Sequence, residues 1–135
     1  MLEKYAGAIY RQLIPVLPND WEKIAMLGKI IDNSYEFVFY VRRRDENKYV
    51  QCYTLEHEGK IDGVQLRNAF KEIYEICVKA RFEQAAESRT DGIDPGKKWT
   101  SFTFLLNKDG DFSIDFGYDE YQLGVSSDWK AKYLD

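Results

Sequence analysis

The strongest constraint in this chain is how few residues separate its first β-forming runs. Tyr35-Glu36-Phe37-Val38-Phe39-Tyr40-Val41 is rich in side chains that suit a pleated, half-buried surface. It follows a segment from Glu22 to Ile31 across Asp32-Asn33-Ser34, three residues that each favour turns. It leaves through Arg43-Arg44-Asp45-Glu46-Asn47-Lys48 into Tyr49-Val50-Gln51-Cys52-Tyr53-Thr54-Leu55. A parallel crossover needs about a dozen residues or more. These connections are too short for one, so the spacing predicts an antiparallel meander of three strands.

A hairpin is written further along. Trp99 to Leu106 and Asp111 to Tyr118 flank Lys108-Asp109-Gly110, and Asp-Gly between apolar runs is a strong hairpin signal. In its second arm Phe112, Ile114, Phe116 and Tyr118 alternate with Asp111, Ser113 and Asp115, which predicts one apolar and one solvated face. A long helix lies between the two β regions. Asp62 is placed to cap it, Gln65 to complete a capping box, and Ile61 with Leu66 to form a hydrophobic staple. Leu66, Phe70, Ile73, Tyr74, Cys77 and Ala80 then recur as a core-facing stripe.

At the N-terminus Leu2, Tyr5, Ala6, Ile9, Tyr10 and Leu13 form another helical stripe, which Pro15 and Pro18 bring to an end. Ser88 to Lys98 reads as a loop, and Ser127 to Leu134 as a short helix or docking tail. The order α-β-β-β-α-β-β-α predicts an α+β fold, a five-stranded antiparallel sheet with helices packed on one face. Its expected core is the sheet face of Phe112, Ile114 and Phe116 beneath the stripe from Leu66 to Cys77. A length of 135 residues suits a single domain, 1–135.

Composition works mainly by exclusion. With 23 acids against 19 bases and a formal charge of −4, the chain has no general electrostatic reason to bind nucleic acid or an anionic membrane. No apolar run approaches the roughly 18 residues of a membrane span, and Met1-Leu2-Glu3-Lys4-Tyr5 does not open like a signal peptide. Cys52 and Cys77 lack C-x-x-C spacing and read as reduced core thiols. The expectation is a soluble, cytoplasmic protein.

Catalytic chemistry is hard to find. The only histidine, His57, stands between Glu56 and Glu58, and no nucleophile has a recognisable base. Gly92 and Gly96 are not followed by the Lys-Ser/Thr and helix start of a phosphate loop. Asn107, Asp109, Asp111 and Ser113 imitate the spacing of a calcium loop, but Phe112 stands where its glycine belongs and Tyr118 where its glutamate belongs. Arg42-Arg43-Arg44 runs straight into Asp45-Glu46 and reads as a solvated hairpin end. No enzyme, metal or cofactor is expected.

The acids are distributed unevenly. Residues 99–135 hold seven acids and three bases, so the whole net charge belongs to the C-terminal hairpin and tail. Asp111, Asp115, Asp119 and Glu120 are interleaved there with Tyr118, Tyr121 and Trp129. Such a surface suits a basic protein partner, the aromatics anchoring and the carboxylates steering. The same pattern also describes a solvated strand face with aromatics in the core. Both readings stay open at this level.

Several of these segments resemble a known family. Trp99-Thr100, the run Gly110-Asp111-Phe112-Ser113-Ile114-Asp115-Phe116-Gly117-Tyr118-Asp119 and the end Trp129-Lys130-Ala131-Lys132-Tyr133-Leu134 are similar to the YezG-like immunity proteins of Gram-positive bacteria. Pro18-Asn19-Asp20-Trp21-Glu22-Lys23 resembles that family's Pro-x-x-Trp entry to the first strand. The resemblance implies an antitoxin that binds and inhibits the nuclease domain of a toxin exported by a type VII-like route, without catalytic residues or cofactor. A basic nuclease surface would then face Asp111, Asp115, Tyr118, Asp119, Glu120, Tyr121 and Trp129. The alternative is a small-molecule or peptide-binding module without catalysis, and self-association is left open.

Overall fold

The computed structural model describes the backbone of residues 2–31, 33–90 and 99–134, and the side chains of these except residues 3 and 84–90. A 3-10 turn (Leu2–Tyr5) runs into α1 (Ala6–Leu13) and a second 3-10 turn (Ile14–Val16). Strands β1 (Trp21–Ile31), β2 (Ser34–Arg43) and β3 (Tyr49–Gln51) follow, then helices α2 (Cys52–His57) and α3 (Gly63–Thr90). Strands β4 (Ser101–Asn107) and β5 (Phe112–Gly117) and helix α4 (Ser127–Tyr133) complete the order. The five strands make one antiparallel sheet, β3-β2-β1-β4-β5. The meander is the one the short connections demand, and α2 with α3 carries the chain back to lay β4 along the free side of β1. The α+β class and the five-stranded sheet are as expected.

Register assigns the faces. Ile24, Met26 and Gly28 of β1 stand opposite Val41, Phe39 and Phe37 on one side and Leu106, Phe104 and Phe102 on the other. Opposed residues share a face, so these build one apolar surface. Helix α3 lays Leu66, Phe70, Ile73, Cys77 and Ala80 into this core, all buried. The Phe70 ring meets Phe37 edge-on at 5.7 Å and Phe39 at 5.9 Å. Asp62 caps the helix, its Oδ1 accepting from the N–H groups of Val64 at 2.9 Å and Gln65 at 3.0 Å. Leu2, Ala6, Ile9 and Leu13 of the N-terminal stripe are buried, and the Tyr5 hydroxyl donates to Glu83 of α3.

Four local expectations are corrected. The third strand stops at Gln51. Cys52 and Leu55 are buried while Tyr53 and Thr54 are exposed, a helical period that overrides the β propensity of these residue types. Ser88 to Thr90 continue α3, and 91–98, the rest of the expected loop, lie outside the described residues. Ile14 keeps helical angles (φ −52, ψ −47) before Pro15, and the chain leaves the helical region only at Leu17, which is extended ahead of Pro18. Finally, the core is centred on β1, β2 and β4 instead of β5. Phe112 is 52% exposed, and Ile114 and Phe116 are half-buried, because β5 is the outermost strand.

The expectation of helices packed on one face holds for α1 and α3 and is corrected for α4. The long helix α3 lies over the face of Phe37, Phe39 and Phe102, with α1 packed beside it, whereas α4 reaches the other face through Thr103 and Tyr40.

Candidate partner-binding surface

On that second face stand Leu27 and Lys29 of β1, Glu36, Val38 and Tyr40 of β2, and Thr103 of β4. The segment 118–134 crosses it as a strap. Ser126 caps α4, its Oγ accepting from the Trp129 N–H at 3.1 Å. The Trp129 indole N–H then donates to Thr103 Oγ1 at 2.8 Å, and its ring lies 5.8 Å from Tyr40 and 5.2 Å from Tyr133. Thr103, a buried hydroxyl between Phe102 and Phe104, is satisfied by that indole.

A second anchor holds the front of the strap. Lys29 and Glu36 oppose each other across β1 and β2, with Nζ 4.0 Å from Oε1. Glu36 accepts from the Tyr121 hydroxyl at 2.6 Å and from the Gly124 N–H at 2.9 Å. The Lys29 ammonium donates to the carbonyls of Gln122 and Gly124 and lies 5.6 Å from the Tyr121 ring centroid. The bond to Glu36 raises the Tyr121 phenol above its ordinary pKa. Gly124 closes this bend with φ +84, a conformation that favours glycine. Thr100 Oγ1 donates to the Asp119 carbonyl at 2.6 Å and fixes the start of the strap.

Under the strap lies an open cleft of ≈ 510 Å³, bordered by Leu27, Lys29, Thr100, Glu120 and Leu123, with Trp129 as its wall. A smaller one of ≈ 260 Å³ lies beside Trp129, Asp115 and Tyr133. Leu123, at the tip of the strap, is 84% exposed.

The residues singled out from the sequence divide in two. Asp111, Asp115, Tyr118, Asp119 and Glu120 are exposed and run in order along β5 and its continuation. Asp111 and Asp115 share the strap-covered face, roughly 13 Å apart along the strand with Ser113 between, so their carboxylates form a row and not an adjacent pair. Asp115 accepts from the Tyr133 hydroxyl at 3.1 Å. Tyr121 and Trp129 instead turn part of their surface inward, on Glu36 and on Thr103. Sequence reasoning missed Lys29, Glu36 and Thr103. Their signal was a lone polar residue interrupting an apolar strand, and the register alone shows that they share a face.

The other candidates resolve locally. Asn107 Oδ1 accepts from the N–H groups of Asp109 at 3.0 Å and Asp111 at 3.1 Å, so the calcium-like spacing is that of a hairpin turn. Among the described residues no cluster of metal-ligating side chains forms. Arg43 Nε donates to Asp20 at 2.9 Å, and Arg44 Nε lies 3.8 Å from Glu22, so part of the basic run is neutralised by acids. The Arg43 bond holds the Asp20 carboxyl below its ordinary pKa. Cys52 and Cys77 are buried free thiols, and desolvation pushes each up to about 12. No described helix is long and apolar enough to cross a membrane.

The structure is an antiparallel sheet with α1 and α3 over one face and an acid-rimmed strap that carries α4 over the other, and its family can be named. The family model described as "Immunity protein YezG-like" matches residues 2–134, and the chain belongs to this family of immunity proteins. It is similar to the "Immunity protein YezG" of Bacillus subtilis (strain 168), 22% identical over 83% of this chain and 70% of that protein. It is also similar to the "Immunity protein YezG" of Bacillus spizizenii, 28% identical over 83% of this chain. The matched region spans 65% of the length of the latter.

Proposed function

We propose that this immunity protein protects by binding and blocking the nuclease domain of a cognate toxin. The observation that carries this reading is membership of an immunity family across residues 2–134. A nuclease site receives phosphates and is basic, which makes an acidic surface its natural complement. The proposed contact surface is Asp111, Asp115, Tyr118, Asp119, Glu120 and Tyr121, with Trp129 holding the strap in place from beneath. Inhibition by occlusion needs no catalytic group on the inhibitor.

The runner-up, a small-molecule or peptide pocket, has less support. Pockets that hold small ligands enclose most of the ligand's surface, and the cleft under the strap is open to solvent. The test takes the C-terminal domains of candidate secreted toxins from the same genome, with nucleic-acid degradation followed as the purified protein is titrated in. Suppression complete near one equivalent supports the proposal. Undiminished cleavage in excess protein overturns it.

A further inference from the structure

The two edges of the sheet are unequal. On one side β3 pairs only Tyr40–Arg42 of β2 and turns at once into α2, whose Tyr53 hydroxyl donates to the Phe37 carbonyl on the rest of that edge at 2.6 Å. The β5 edge runs for six residues, Phe112-Ser113-Ile114-Asp115-Phe116-Gly117, without proline or lysine. Among the described residues, no strand pairs with its outer side.

The hairpin fixes which backbone groups lie on that side. The Asn107 N–H donates to the Asp111 carbonyl at 3.0 Å, and Gly110, at φ +90, donates to Asn107 at 3.0 Å. Bonded and non-bonded pairs alternate along an antiparallel ladder. Counting on from Asp111, Ser113 and Asp115 bond inward to β4, while the N–H and C=O groups of Phe112, Ile114 and Phe116 point outward. Their side chains form an apolar row ending in the half-exposed Phe112, stacked 6.0 Å from Phe104. On the other face of the same edge, Asp111 and Asp115 form the acidic row.

We infer that the open edge of β5 is where the toxin docks, by adding an extended strand to the sheet. This deepens the proposed function and rests on it. Main-chain bonds to Phe112, Ile114 and Phe116 would supply the pairing. Alternation then dictates the incoming strand: apolar side chains on the Phe112–Phe116 face, Lys or Arg on the face of Asp111 and Asp115. The same acids disfavour a second copy of this chain. Self-pairing would bring the −4 charge of two C-terminal regions together along the sheet, and like charges across a strand pair are destabilising.

Hydrogen exchange of the intact protein, free and saturated with the toxin's C-terminal domain, tests this. In the complex the amides of Phe112, Ile114 and Phe116 should slow by roughly a hundredfold or more, while those of Ser113 and Asp115, already bonded to β4, change far less. Ile114→Pro should weaken binding by roughly tenfold or more; its outward N–H leaves the bonds to β4 in place, so the variant should still unfold cooperatively, at a midpoint lowered by the lost packing of the half-buried Ile114. Should that variant unfold, the exchange pattern of the unmodified protein decides alone. Tight binding with the three amides at their free rates overturns the edge inference and leaves the proposed function standing. Protection that appears in the free protein and grows with its concentration assigns the edge to a second copy, and also overturns the inference. Failure to bind the toxin at all removes both.

Discussion

The indole N–H of Trp129 reaches through the strap to Thr103 Oγ1, 2.8 Å away, in the middle of β4. One bond thereby joins the acidic tail to the sheet and gives the buried Thr103 hydroxyl a partner. It makes Trp129 a structural wedge, with Tyr40 and Tyr133 on its flanks.

Trp129→Ala should therefore destabilise the fold by about 2–4 kcal/mol, the lower range for a large aromatic that is only half-buried. Thr103→Val, which strands the indole donor, should cost about 1–2 kcal/mol. Urea denaturation measures both. An unfolding midpoint unchanged in Trp129→Ala would return that residue to the binding surface.

The core is read most directly at Phe70. It is 4% exposed and touches Phe37, Phe39 and Tyr53, so Phe70→Ala should cost about 3–5 kcal/mol. Phe112→Ala, at the open edge, should cost well under half of that. Equal losses in chemical denaturation would mean that β5 is covered after all.

Both thiols should resist chemistry until the protein opens. A pKa near 12 leaves almost no thiolate at pH 8, and burial denies access. Iodoacetamide should label neither Cys52 nor Cys77 in native protein and both in denaturant. Labelling at the native state's full rate would contradict their placement in the core.

Acid sensitivity should pass partly through Asp20. Its folded pKa is depressed by Arg43, so the stabilisation is present above the unfolded value of about 4 and is lost as pH falls through the folded one. Thermal scans should show a shallower loss for Asp20→Asn than for the wild type below about pH 5. Parallel curves would mean that the pair contributes nothing to the pH dependence.

Much of the fold was legible because it is written in local signals. The short links around Tyr35–Val41, the Asp62 cap and the Asp109-Gly110 turn each fix geometry within a few residues. What the sequence hid is set by strand order. Phe112 and Phe104 look equally suited to a core, and only the position of β5 at the edge leaves one half-exposed and the other buried. The candidate surface was legible as composition, in its acids and tyrosines. Its architecture was not, because Lys29, Glu36 and Thr103 lie far in sequence from the strap that they hold.

The central claim is that the acid row along β5 and the strap meets a basic nuclease. Its most direct test is the association rate of the toxin's C-terminal domain with a variant carrying Asp111→Asn, Asp115→Asn, Asp119→Asn and Glu120→Gln, measured across ionic strength. The account predicts association slowed by roughly tenfold or more at low salt, a flattened salt dependence, and an unfolding midpoint close to that of the wild type. A variant that associates as fast as the wild type at low salt and inhibits as tightly would contradict it.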